Sequence, residues 1–102
     1  MARELSLTTN ELKVLSSLMG QDRYGLEIIE VVQQAGGNML MGSLYNILRR
    51  LERNGFVKSY WNEKTHERGG NRRRYYEITG AGETAVRKEQ NQFGGLWNWK
   101  FA

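Results

Sequence analysis

A mainly α-helical domain with a small two-stranded β-wing is what this sequence predicts, on three observations. Apolar residues recur at helical spacing in three successive segments before residue 55. The period then falls to two on either side of a polar, glycine-containing stretch, and helical spacing returns after residue 79. A length of 102 residues suits one hydrophobic core and leaves no room for two. With no proline in the chain, element boundaries must be read from caps and from the twelve glycines.

The first helix is marked by Thr8 and Glu11, spaced as a capping box in which each side chain satisfies an orphan backbone N–H. Leu7 and Leu12 stand where a hydrophobic staple places them. Leu12, Leu15, Leu18 and Met19 form the stripe, and Gly20 can close the helix in a left-handed conformation. This predicts a helix over about residues 9–19.

After Asp22, a candidate N-cap, the run from Tyr24 to Ala35 holds Ile28, Ile29, Val31 and Val32, which would suit a buried strand equally well. Its length, Glu27 near its start and the Gly36-Gly37 stop favour a second helix. From Met41 to Asn54, Leu44, Ile47, Leu48 and Leu51 make the apolar stripe of a third helix, ended by Asn54-Gly55. Its other side carries Ser43, Tyr45, Asn46, Arg49, Arg50 and Arg53, all able to donate hydrogen bonds to phosphates or base edges.

Phe56 to Trp61 and Arg72 to Ile78 read as two strands of a hairpin whose tip, residues 62–71, is too polar to pack. Thr79 can cap a last helix over roughly residues 80–99, with Ala85, Val86, Phe93, Leu96 and Trp97 apolar. Gly94-Gly95 interrupts it at a cost of about 1 kcal/mol per glycine relative to alanine.

Composition removes several function classes. The chain is 39% hydrophobic and 25% charged, as in ordinary folded proteins. No cysteine and a single histidine exclude a disulfide framework, a thiolate zinc site and a His-rich metal site, so no cofactor is expected. One His, one Asp (Asp22) and no Cys also make a nucleophile, base and orienter hard to assemble, which argues against an enzyme. His66 sits alone in the polar tip, without partners for chemistry. No apolar stretch approaches the roughly 20 residues that span a bilayer. The N-terminal MARELSLTTNELK lacks the apolar run of a signal peptide, so the expected location is the cytoplasm.

The net charge of +4 is unevenly spread. Residues 41–77 hold nine bases against four acids, a net +5, and the rest of the chain is −1. A solvated surface could carry such a charge, but the basic segment coincides with the third helix and the hairpin. Three helices, a basic hairpin and a final helix is the order of a winged helix-turn-helix, in which the third helix enters the major groove and the hairpin lies along the backbone.

The sequence GSLYNILRRLERNGFV, followed after the hairpin by RRRYYEITGAGETAV, resembles the PadR family of bacterial transcriptional regulators. The likeness runs through Gly42, Tyr45, Leu48, Leu51, Gly55, Tyr75, Tyr76, Thr79 and Gly82, with Tyr24-Gly25 resembling the family's second-helix start, and covers about residues 5–87. Leu40-Met41 replaces the family's usual proline before the third helix, and the C-terminal helix is short beside those of many members. The resemblance implies a DNA-binding winged helix over residues 1–79 and a dimerisation helix over 80–102.

Ser43 and Asn46 are the candidates for base edges, because recognition helices read with their N-terminal residues and Asn can pair bidentately with adenine. Tyr45 either bonds a phosphate, as the resemblance implies, or packs under the wing. Arg49 and Arg53 are expected as backbone clamps, flanked by Arg50, with Glu52 able to neutralise one of them. The wing tip, Lys64, Arg68 and Arg72, is expected at phosphate or the minor groove. Strand alternation sends Arg73 to the face opposite its neighbours, and Arg74 has an acid to find nearby.

Phe93, Leu96, Trp97, Trp99 and Phe101 form an aromatic payload that needs cover. The resemblance implies packing against helix 1 of a second subunit. In some members aromatics there line a cavity for a small-molecule effector, although dimer packing alone accounts for them. The expected function is therefore a sequence-specific double-stranded DNA-binding regulator, a repressor acting as a homodimer on a pseudo-palindromic operator. The rival is a winged-helix module that pairs with another regulator through its aromatic tail.

Overall fold

The computed structural model describes residues 7–62 and 72–101, with only the helical backbone described over residues 92–101. In chain order the elements are α1 (Thr9–Ser17), β1 (Arg23–Tyr24), α2 (Gly25–Gln34), α3 (Met41–Arg53), β2 (Val57–Asn62), β3 (Arg73–Ile78) and α4 (Gly80–Phe101).

The capping box forms as its spacing requires: Thr8 N donates to Glu11 Oε1 at 2.9 Å, and Glu11 N donates to Thr8 Oγ1 at 3.1 Å. Leu7 and Leu12 pack against the core. The helix ends at Ser17, two residues short of the expected limit. Leu18 is its C-cap, and Gly20 takes φ +82°, a region that L side chains rarely enter.

Between the first two helices the structure adds a strand that the sequence did not announce. Arg23 and Tyr24 pair antiparallel with Tyr76 and Tyr75, so the sheet has three strands in the order β1-β3-β2. Tyr24, rather than Asp22, is the N-cap of α2, and its N–H donates to Glu27 Oε1 at 3.2 Å. The β-branched run is helical, because Ile28, Ile29 and Val32 then fall on one buried face.

The core joins Val14, Leu15 and Leu18 of α1, Ile28, Ile29 and Val32 of α2, and the complete α3 stripe of Leu44, Ile47, Leu48 and Leu51. Val57, Tyr76 and Val86 close it from the sheet and α4. The α3 stripe buries one side of that helix and leaves the opposite side to solvent, which is what positions the site.

Thr79 pins the start of α4. Its hydroxyl donates to Gly55 O at 2.7 Å and accepts from Gly82 N at 3.1 Å. At Gly82 a Cβ would collide with the Phe56 carbonyl oxygen, so glycine is required for α4 to approach the α3–β2 turn. The helix then runs through Gly94-Gly95 to Phe101, two residues beyond the expected end. None of the helices among the described residues is long and apolar enough to cross a membrane.

Candidate nucleic-acid interface

Because Leu44, Ile47, Leu48 and Leu51 point inward, helical geometry turns Gly42, Asn46, Arg49 and Arg53 directly outward, with Ser43 and Tyr45 flanking them. All six are exposed. Arg49 Nη1 donates to Asn46 Oδ1 at 3.3 Å across one turn. Arg50, on the flank nearer α1, has a different partner: its Nε donates to Glu11 Oε2 at 2.5 Å, and Glu11 is only 5% exposed. That guanidinium ties α3 to α1, leaving Arg49 and Arg53 as the outward cations of the helix.

The wing joins α3 through a three-member network. Ser59 Oγ donates to Glu52 Oε2 at 3.0 Å, and Arg74 donates to Ser59 Oγ from Nε at 3.0 Å and from Nη2 at 2.8 Å. Arg74 Nη2 also lies 3.5 Å from Glu52 Oε1. Glu52 therefore pairs with a strand arginine, and the expectation that it would neutralise an arginine of its own helix is replaced by this link. The acid expected near Arg74 is Glu52.

Alternation sorts the three consecutive arginines onto different aromatic partners. Arg73 lies over the Tyr24 ring at 4.5 Å, while Arg72 and Arg74 lie over Trp61 at 5.3 and 5.9 Å. Arg74 is also 5.6 Å from the Tyr76 ring. Outside Tyr24, Tyr75 meets it edge-on at 5.5 Å and stacks on Tyr60 at 5.9 Å. Tyr60 Oη donates to Asp22 Oδ2 at 2.6 Å, and accepting that proton is the main reason the phenol is pushed up to about 12. Burial raises the Tyr76 phenol, and nearby Arg74 opposes the shift.

These contacts enclose a basic, aromatic cleft of about 380 Å³ between the wing and the N-terminal half of α3. Tyr45, Trp61, Arg72, Arg73 and Arg74 line it, with Tyr24-Gly25 at its floor. A Cβ on Gly25 would stand 2.7 Å from Tyr45 Oη, so this glycine makes room for the Tyr45 hydroxyl at the start of α2. Tyr45 is 42% exposed and lines the cleft, rather than being buried beneath the wing.

Of the residues singled out in the sequence, Lys64 and Arg68 lie outside the described residues. Phe93, Leu96, Trp97, Trp99 and Phe101 ride on α4, with their side chains outside the description. Trp61 was missed as a cleft residue. Its signal was present, since period two from Val57 through Ser59 puts Trp61 on the α3 side of the hairpin. Among the described residues, no group of three or more His, Cys, Asp or Glu is placed to hold a metal.

Three helices, a basic wing docked on the third and an outward polar face on that helix define a winged helix-turn-helix DNA-binding protein. The family model described as "Transcriptional regulator PadR-like family" matches residues 14–88. Solved structures agree. A PadR family transcription regulator from Clostridium difficile R20291 is 27% identical, with 90% of this chain and 97% of that one covered at a TM-score of 0.73. A PadR family regulator from Eggerthella lenta is 29% identical, covering 88% and 76% at 0.74. A transcriptional regulator from Clostridium thermocellum is 30% identical, covering 90% and 91% at 0.71. No match was found among curated proteins. The chain belongs to the PadR-like family of transcriptional regulators, DNA-binding transcription factors rather than enzymes.

Proposed function

We propose that this chain is a cytoplasmic repressor that binds, as a homodimer, a pseudo-palindromic duplex operator. The observation that carries the reading is the exposure of Ser43, Asn46, Arg49 and Arg53 along one side of α3, beside a cleft where Arg72, Arg73 and Tyr45 converge. Asn46 and Ser43 meet base edges. Arg49 and Arg53 clamp phosphates, and the cleft takes the backbone that flanks the groove. The sequence adds Lys64 and Arg68 to the cations available for phosphate or the minor groove.

Dimerisation is supported by the length of α4 and by a groove on the α1–α2 face. At about 1.5 Å per residue, the 22 residues of α4 extend about 33 Å. Its described core contact, Val86, lies in the first third. A groove between α1 and α2 presents Leu12, Val31, Val32 and Ala35, with Thr9, Lys13, Ser16 and Ser17 also lining it. A partner's α4, carrying Phe93, Leu96, Trp97, Trp99 and Phe101, would fill it, and a small-molecule effector would enter between the same surfaces. Two reader heads related by a two-fold axis require half-sites about one helical turn, or a multiple of it, apart.

Footprinting on the DNA upstream of its own gene tests the reading. A protected pseudo-palindrome, with affinity falling steeply as salt rises, is expected. Weak binding indifferent to sequence at every salt concentration overturns it.

A further inference from the structure

Among the described residues the exposed large hydrophobic side chains are Leu26, Leu40, Met41, Tyr45, Tyr60 and Trp61. All six lie on the helix-turn-helix or the wing. Single exposed apolar residues are common on protein surfaces, so the position of each decides whether it carries meaning. The three aromatics belong to the cleft or to the tyrosine stack beside it. Leu26, Leu40 and Met41 instead mark the N-terminal ends of α2 and α3.

Leu40 is the most exposed of them, at 76%. It is the N-cap of α3, extended at φ −83° and ψ 150°, and its side chain makes no capping hydrogen bond. An N-cap is where Ser, Thr, Asp or Asn would satisfy an orphan N–H, at a gain of about 1 kcal/mol. Leucine gives up that cap, and with 76% exposure it contributes little to the core. Met41 follows at 37% exposure, and its Cε would lie 3.2 Å from a Cβ on Gly25, which tethers it to the start of α2. The pair forms an apolar tip at the N-terminal end of α3, the end that enters a major groove.

In that groove the apolar feature a base pair presents is the C5-methyl group of thymine. We propose that Leu40, with Met41 beside it, is a specificity-determining contact that reads thymine methyl groups in each operator half-site. This rests on the DNA-binding reading above and names part of the sequence being read. Desolvating a methyl against Leu40 favours thymine over cytosine and over uracil, and the uracil comparison isolates the methyl because every hydrogen-bonding group is kept.

The test uses the full chain and duplexes that it enriches from a random-sequence pool. Each thymine is replaced in turn by deoxyuridine, which removes the methyl and leaves base pairing intact. One or two thymines per half-site should lose roughly threefold to fivefold in affinity on replacement, the worth of one buried methyl. Leu40→Ala, which removes the contact from both subunits, should lose about as much as replacing the sensitive thymines of both half-sites together, and show no further loss with deoxyuridine at those positions. An unchanged melting temperature for Leu40→Ala separates this from misfolding. If every thymine can be replaced without loss, or if Leu40→Ala and Met41→Ala both keep full sensitivity, the assignment is overturned while the DNA-binding reading stands. If no duplex is enriched, the DNA-binding reading itself fails, and this inference with it. Enrichment of duplexes whose half-sites lack thymine also overturns it.

Discussion

Glu11 on α1 and Arg50 on α3, thirty-nine residues apart, meet through a single Nε to Oε2 hydrogen bond of 2.5 Å. The other carboxylate oxygen accepts from Thr8 N, so one nearly buried acid both caps α1 and holds the recognition helix. Arg50→Ala leaves that acid with the cap alone. Because Arg50 is itself about half exposed, the loss should be modest, about 1–2 kcal/mol, or a fall in melting temperature of roughly 5–15 °C. Thermal unfolding of Arg50→Ala and Arg53→Ala checks this; equal melting temperatures would show that the pair contributes nothing.

The same comparison separates fold from binding on the outward face of α3. Arg49 and Arg53 have no acid within salt-bridge distance among the described residues. Removing either should flatten the salt dependence of operator affinity by about 0.9 in the log–log slope per subunit, about 1.8 for the homodimer, while removing Arg50 should leave the slope near that of the native chain. Affinity measured across a salt series decides. A slope change at Arg50 matching that at Arg53 would return Arg50 to the phosphate clamp.

Local signals made much of this architecture legible, and non-local ones did not. Thr8 and Glu11 announced their helix because a capping box is complete within four residues. The Leu44, Ile47, Leu48 and Leu51 stripe fixed which side of α3 faces out. Alternation gave Arg73 a different ring from Arg72 and Arg74, although all three line one cleft, which the expected opposite facing of Arg73 did not foresee. The strand at Arg23–Tyr24 escaped notice because two residues show no period, and it exists only through its pairing with Tyr75 and Tyr76. Partners such as Arg50 with Glu11 and Arg74 with Glu52 follow from packing, since no spacing brings residues 39 or 22 positions apart together. Trp61 was readable by period two, yet its role needed Arg72 and Arg74 placed over it.

Tyr60 offers a pH signature. Its phenol is raised from 10.0 to about 12, chiefly by donating to Asp22. A group whose folded pKa lies above its unfolded value stabilises fully below the unfolded pKa and loses that contribution as pH rises through the folded one. The Tyr60–Asp22 contribution is therefore intact below pH 10 and lost between about 10 and 12. In an ultraviolet phenolate titration, Asp22→Asn should move one tyrosine back toward 10, and Tyr60→Phe should remove one tyrosine from the high-pH component, leaving the raised Tyr76. Superimposable titrations of the native chain and Asp22→Asn would refute the link.

Glycines separate stability from recognition more sharply than any charged residue here. At Gly82 an alanine Cβ meets the Phe56 carbonyl, and at Gly25 it meets the Tyr45 hydroxyl, so Gly82→Ala should cost about 1–3 kcal/mol. Gly25→Ala should cost less, because an exposed tyrosine tip yields more easily than backbone. Gly42 is the opposite case. It is the second residue of α3, and a Cβ there meets nothing within 4 Å. Helix propensity and unfolded-chain entropy both favour alanine, so Gly42→Ala should raise stability by about 0.5–1 kcal/mol. The sequence nevertheless keeps glycine on the outward side of the recognition helix, one turn before Asn46, where an approaching DNA backbone or base edge would occupy the space of that methyl. Gly42→Ala should therefore melt higher and bind its operator roughly tenfold more weakly, a loss of about 1.4 kcal/mol. Melting curves and operator titrations on the same preparation decide the matter. A variant that is more stable and binds as well as the native chain would show that no DNA atom comes close to Gly42.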